Sequence, residues 1–257
     1  MHQDFIKTLA SDKIVGDKLP IICNQENFIL RENFYKLSQA CPDSHFIFNP
    51  PIKTTLDKGR PKGGMFIAVP KSIKSQVSDV SPGHWRIQAV IISSVDSSTL
   101  LINTYFPCDS GRMVGANVEE DIEVLAVIKR IVEENEFGSL CICGDINTDF
   151  RRNSGQVEVV NDFVEELRLK KVWDRYQVDF TRVSYDNEMG NIISSSVIDH
   201  FFYSEGLFDM VQDAGAIHSV DNRSDHSPVY TVLSSLNIKI DISDPVKPSP
   251  LEESNSR

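Results

Sequence analysis

Five short stretches carry side chains that could handle protons and hard cations. Asn24-Gln25-Glu26 directly follows the apolar run Pro20-Ile21-Ile22-Cys23. A carboxylate at the end of a buried strand is a natural ligand for a hard cation such as Mg²⁺, because oxygen donors suit that ion. Its plainer reading is a solvent-facing helix cap. In Asn103-Thr104-Tyr105-Phe106-Pro107, Asn103 and Tyr105 share one strand face and the proline ends the strand. A Tyr hydroxyl beside an Asn amide could bond a phosphate, and a surface Tyr is the alternative. Gly144-Asp145-Ile146-Asn147 closes the run Leu140-Cys141-Ile142-Cys143. An Asp there could orient and deprotonate a water while the Asn amide fixes it; an Asx turn would need no function. Ser196-Val197-Ile198-Asp199-His200 and Ser224-Asp225-His226-Ser227-Pro228 complete the set. Asp199 could fix the tautomer of His226 and hold its charge. A protonated His226 could then stabilise negative charge building on phosphorus. A Ser nucleophile is the competing reading, but Ser224 adjoins its supposed partners in sequence, which makes a relay awkward.

The elements that must position these residues are mostly strands. Alternation of apolar residues predicts strands over residues 85–89, 100–106, 140–143 and 197–203, with another from Gly64 to Val69. Val118, Ile122, Leu125, Ile128 and Val132 follow the spacing of an amphipathic helix, with Asn117 as its N-cap and Gly138 as its stop. Val160, Phe163, Val164 and Leu167 mark a second helix, and Phe34, Leu37 and Ala40 a shorter one. Residues 5–9 suggest a further short helix. Strands with helices between them favour a layered α/β sandwich. Residues 1–236 make one domain on this reading. Residues 237–257, with three prolines and few large apolar residues, make a mobile tail or the start of a linker.

The composition is ordinary for a globular protein: 257 residues, 40% hydrophobic and 25% charged. That excludes disordered, collagen-like and disulfide-dense chains. No apolar run approaches the roughly 18 residues that span a bilayer, and no secretory signal stands at the N-terminus. The net charge of −11 is not the footprint of a protein that holds DNA by bulk attraction, so nucleic-acid contact would be local or bridged by metal. Five cysteines without zinc spacing fit a reduced intracellular protein, with Cys141 and Cys143 packed in a core strand.

Taken in order, the five stretches resemble the endonuclease/exonuclease/phosphatase superfamily over roughly residues 15–235. The match is to Gln25-Glu26, Asn103-x-Tyr105-x-Pro107, Gly144-Asp145-x-Asn147, Ser196-x-Ile198-Asp199-His200 and Ser224-Asp225-His226-x-Pro228. Gly59-Arg60-Pro61-Lys62-Gly63-Gly64, Trp85-Arg86-Ile87-Gln88 and Phe180-Thr181-Arg182 are similar to segments of the endonuclease domains of non-LTR (LINE-type) retrotransposons.

The resemblance implies a four-layer sandwich of two facing mixed β-sheets flanked by helices. It implies that Glu26 ligates a catalytic Mg²⁺, with Mn²⁺ as an alternative, and that Asp225 lies close to the metal. Asp145 would activate water with Asn147 beside it, Asn103 and Tyr105 would orient the phosphate, and His226 paired with Asp199 would stabilise the transition state. Arg60, Lys62, Arg151 and Arg152 would contact phosphates from loops around the cleft, whereas Arg168, Lys170 and Lys171 read as solvated surface. Residues 183–195 would form a loop at the mouth of the site. The implied activity is DNA nicking by a monomer, in the nucleus, to prime a reverse transcriptase domain of the same polyprotein. Abasic-site cleavage, hydrolysis of other phosphodiesters and a catalytically inactive remnant remain open. The inactive reading draws on one departure: members begin with a strand ending in a metal-binding Asn, and no Asn precedes Asn24, so that first strand is expected to be missing.

Overall fold

Along residues 98–105 the alternation sends Leu100, Ile102 and Thr104 to one side of a strand and Leu101, Asn103 and Tyr105 to the other, and both sides are buried in the computed structural model. The structure describes residues 20–52, 61–108, 116–186, 191–219, 222 and 224–234. In chain order the elements are β1 (Ile22–Asn24), α1 (Phe34–Ala40), β2 (Ser44–Asn49), β3 (Met65–Pro70), β4 (Val77–Asp79), β5 (Ile87–Ser93), β6 (Ser98–Tyr105), α2 (Ala116–Glu134) and β7 (Ser139–Asp145). They continue with α3 (Gly155–Glu166), β8 (Lys170–Lys171), β9 (Arg182–Tyr185), β10 (Ile192–Ser196), β11 (Asp199–Tyr203), α4 (Glu205–Asp209), β12 (Val211–Ala216) and β13 (Val229–Leu233).

Six strands form the central sheet in the order β4-β5-β6-β7-β11-β8, with β6 and β7 parallel and their neighbours antiparallel. On one face, Leu100, Ile102, Leu140, Ile142 and Phe202 pack under Leu125 and Ile128 of α2 and Val160 and Phe163 of α3. Burying each large apolar side chain contributes about 1.5–3 kcal/mol, so this face is a main source of stability. Ser154 starts α3 by accepting the amide of Val157 at 3.3 Å.

The opposite face, with Val90, Leu101, Cys141, Cys143 and Tyr203, meets a second layer of strands. That layer holds the antiparallel sheet β1-β3-β2 and the antiparallel pair β12-β13. Ile67 and Val69 of β3 point to the central sheet, while Phe66 and Ala68 point outward under Leu37 of α1. Helices, sheet, strands and helix make the four layers of an α/β sandwich.

Several expected assignments change. The strand placed at residues 85–89 begins at Ile87, because the Ile87 amide bonds His84 O at 3.1 Å and leaves Trp85 and Arg86 in a turn. The strand placed at 197–203 begins at Asp199. The stretch expected as a loop at 183–195 contains two strands: β9 and β10 pair antiparallel, with Ser195 opposite Val183. Asn117 does not cap α2, which already includes Ala116. Arg60, the short helix at 5–9 and the tail at 237–257 lie outside the described residues. Among the described residues no helix is long and apolar enough to cross a membrane.

Candidate active site

Strand register alone assembles the centre of the site. In the parallel pair β6 and β7, Tyr105 lies opposite Asp145. In the antiparallel pair β7 and β11, Asp145 lies opposite Asp199. Tyr105, Asp145 and Asp199 therefore form a row across three adjacent strands, on the face that meets the second layer. Gly144 makes the close approach of β6 and β7 possible. Its φ is +138°, and a Cβ there would fall 2.0 Å from Thr104 O.

Asp145 is 7% exposed and Asp199 8%. Burial pushes the Asp145 carboxyl up to about 8, and the charge of Asp199 adds to this. The charge of His226 and the Asn147 amide pull it down, without prevailing, while Glu26 raises it further. The Asn147 amide bonds Asp145 Oδ1 at 3.0 Å, so the Asx turn anticipated as the plainer reading does form. It forms as part of the site: Asn147 holds a φ of +52° and donates its side-chain amide to Phe106 O at 2.9 Å.

His226 arrives from the segment between β12 and β13. Its Nδ1 lies 3.0 and 3.2 Å from the two Asp199 carboxylate oxygens, and its Nε2 lies 3.9 Å from Asp145 Oδ2. Burial alone would lower its pKa. The hydrogen bond and charge of Asp199, then the charges of Asp145 and Asp225, outweigh burial and raise it to about 9. His226 is thus an imidazolium at neutral pH, with Nδ1–H donated to Asp199. Ser224 Oγ accepts the His226 backbone amide at 3.1 Å, which makes it part of the turn that presents the imidazole.

Glu26 follows β1 in a left-handed conformation, φ +48°. The Tyr105 hydroxyl feels the Glu26 carboxylate. Burial, followed by the charges of Glu26 and Asp145, pushes the Tyr105 phenol up. The Arg86 guanidinium sits 4.0 Å from the Trp85 ring and 5.0 Å from the Tyr105 ring, and donates to Tyr105 O at 3.4 Å. Asn103 is fully buried. Its amide donates to Asn24 O and Phe66 O, and its oxygen accepts Gln25. It anchors the segment leading to Glu26.

The remaining expected residues are spread around this centre. Arg182 donates to Asp225 Oδ2 at 2.9 Å, so that carboxylate shares its charge with a guanidinium. Arg151 grips Asp149 with Nε at 2.9 Å and a second nitrogen at 2.8 Å, and Arg152 lies 3.8 Å from the same carboxylate. Lys62 is exposed and bridges Ile52 through its backbone.

Three residues without an expected role hold the site together. Asp149 accepts Arg151 and, at 3.2 Å, the amide of Val197. Burial works against ionising Asp149, but the Arg151 bonds hold its pKa below the usual range. Fully buried His200 places Nε2 at 2.8 Å from Thr148 O and 3.1 Å from Val197 O. Thr181 accepts the amides of Ile198 and Asp199 on its hydroxyl. His200 and Thr181 stood in motifs without a role, and the Asp149-x-Arg151 spacing was the cue to Asp149.

The donor chemistry fits a hard divalent cation. Side-chain atoms of Asp145, Asp199 and His226 lie within 4.8 Å of one another, but the protonated His226 ring has no free lone pair, so the donors to a cation are the carboxylates. Glu26 brings a further carboxylate whose charge Asp145 feels. Burial first, and the charges of Asp199 and Glu26 after it, hold the Asp145 pKa high, and a bound cation would offset both.

No protein-family model matches the chain, and no curated protein does. Solved structures do. The AP endonuclease LMAP from Leishmania major is 14% identical with a TM-score of 0.64, and the match covers 84% of this chain and 78% of that one. A 3′ phosphatase, NExo, from Neisseria, bound to a product DNA hairpin, is 17% identical with a TM-score of 0.65, covering 90% and 93%. An endonuclease/exonuclease/phosphatase family protein from Leptotrichia buccalis is 15% identical with a TM-score of 0.62, covering 90% and 93%. The fold of this chain is the sandwich of these proteins.

Proposed function

We propose that this chain is a Mg²⁺- or Mn²⁺-dependent phosphodiesterase of the endonuclease/exonuclease/phosphatase superfamily, and that it nicks DNA for a non-LTR retrotransposon. The observation that carries the hydrolytic reading is the convergence of Asp145, Asp199 and His226 beside Tyr105 and Glu26, from five distant stretches of chain. The fold shared with DNA-processing enzymes supports a nucleic-acid substrate. The retrotransposon assignment draws on the segments around Gly63, Trp85 and Thr181, and it brings with it a nuclear site of action and a reverse transcriptase domain as partner.

Glu26 would hold the cation, with Asp225 contributing charge nearby. When bound, the ion supplies Lewis-acid stabilisation of the phosphoryl oxygens. Asp145 takes the proton of the attacking water, whose oxygen bonds to phosphorus in line as the bond to the 3′-oxygen breaks, leaving a 5′-phosphate and a 3′-hydroxyl. Asn147 keeps the Asp145 carboxylate oriented through its amide. The His226 imidazolium, braced by Asp199, donates from Nε2 to a phosphoryl oxygen as charge builds there. Tyr105, beside Glu26 and stacked on Arg86, orients the phosphate. Arg60, Lys62, Arg151 and Arg152 are proposed contacts to neighbouring phosphates.

The test is plasmid nicking with Mg²⁺ by the unmodified chain, Asp145→Ala and His226→Ala. Strong loss in both variants supports the assignment, and equal nicking by all three refutes it. A second reading, cleavage at abasic sites or removal of a 3′ phosphate, has support from the likeness to LMAP and NExo. An abasic oligonucleotide and a 3′-phosphorylated oligonucleotide, run against intact plasmid, separate these substrates.

A further inference from the structure

Asp199 and His226 come from different parts of the chain, and one residue touches both surroundings. Thr181 is 0% exposed. Its hydroxyl oxygen accepts the amide of Ile198 at 3.0 Å and that of Asp199 at 3.1 Å. Its carbonyl accepts the amide of Ser227, the residue after His226, at 2.6 Å. Its own amide donates to Ser196 O at 2.8 Å. The next residue, Arg182, forms a backbone bridge with His226, and the Val183 amide bonds Asp225 O at 2.9 Å. Both halves of the Asp199–His226 pair are therefore referenced to a single buried side chain and its backbone.

We infer that Thr181 is a positioning residue for the hydrolytic site: it sets the Asp199 carboxylate against His226 Nδ1. This inference rests on the phosphodiesterase reading. The physical argument is accounting. The amides of Ile198, just before β11, and of Asp199, its first residue, are buried donors, and buried donors must be satisfied. One hydroxyl satisfies both. Without it the chain at 198–199 turns to find other acceptors, and the Asp199 side chain turns with it. Catalytic geometry is sensitive to displacements of about an ångström, which cost on the order of a hundredfold in rate.

The test compares Thr181→Val, which keeps shape and removes the acceptor, with Thr181→Ser, which restores it. In the nicking assay, Thr181→Val is expected to lower kcat by at least about tenfold with little change in KM, and Thr181→Ser to recover most of the loss. A second readout needs no activity: in ¹⁵N-labelled protein without divalent ions, the Nδ1–H proton of His226 should give a sheltered signal held by Asp199. That signal should vanish in Thr181→Val and persist in Thr181→Ser. An unchanged signal and unchanged kcat in a folded Thr181→Val overturn the inference while leaving the hydrolytic reading intact. A rise in KM alone also overturns it, since it would make Thr181 a substrate contact. If the unmodified chain nicks nothing, yet the signal follows this pattern, the hydrolytic reading fails and the positioning role stands.

Discussion

His200 offers a quantitative test of how the site is held. The ring is fully enclosed, and its Nε2 faces two carbonyl oxygens, those of Thr148 and Val197. Both are acceptors, so Nε2 carries the hydrogen and the neutral ring satisfies them. Burial lowers its pKa from 6.5 to about 4, with the two carbonyls and the charges of Asp199 and Asp149 recovering only part of the loss. The native state thus resists a proton that the unfolded chain accepts. Between pH 6.5 and 4 the unfolded chain binds more protons, and stability falls as pH falls. A gap of about 2.5 in pKa corresponds to roughly 3 kcal/mol. With a urea slope of roughly 3 kcal/mol per molar, the midpoint should drop by about 1 M across that window. The comparison is His200→Gln, which keeps a donor and cannot titrate there. Urea unfolding by fluorescence at closely spaced pH values should show the unmodified chain losing this increment and the variant lacking it. Parallel curves for the two proteins would refute the argument that burial governs this imidazole.

Other outcomes follow from the same geometry. Asp145→Asn should lower nicking by about a hundredfold to ten-thousandfold while leaving the fold intact, measured by initial rates and circular dichroism. Gly144→Ala should destabilise by about 3 kcal/mol or more, because its methyl meets the Thr104 carbonyl; urea unfolding reads this directly. Mg²⁺ or Mn²⁺ should raise the melting temperature of the unmodified chain, and Glu26→Ala should abolish the rise in the same thermal scan. Arg151→Met should cost about 1–3 kcal/mol of stability, since it leaves the buried carboxylate of Asp149 only backbone amides and the more distant Arg152.

The motifs at Asn24, Tyr105 and Asp145 were legible because each ends a strand, and period-two alternation reveals strands whose faces are both packed, whereas Asp199 starts β11 and His226 lies between β12 and β13. The pairing of Asp199 with His226 followed from chemistry alone, since an imidazole needs a carboxylate to hold its charge. What escaped was governed by partners far away in sequence. The start of β11 moved from Val197 to Asp199 because the intervening amides are taken by side chains: Asp149 binds the amide of Val197, and Thr181 binds those of Ile198 and Asp199. Alternation cannot report that competition. The hairpin of β9 and β10 escaped for another reason. Ile192 and Ile193 are consecutive and both exposed, at 56% and 68%, so no buried face imposes a pattern. Asn103 looked like a phosphate ligand from its spacing to Tyr105, but strand register places it a turn of the pleat deeper, where its amide meets Asn24, Gln25 and Phe66.

The three carboxyl- and phenol-bearing strands lie in the middle of the six-stranded sheet, whereas His226 rides on a connecting segment fastened by a few bonds to Thr181, Ser224 and Asn222. Regions of a protein open with different free energies, and interior strands open last. Gentle warming should therefore dismantle the proposed site in stages: the imidazole drifts off its carboxylate first, while the spectroscopic signature of the sheet is still whole. Heat inactivation and melting would then trace separate curves, with catalysis failing at the lower temperature.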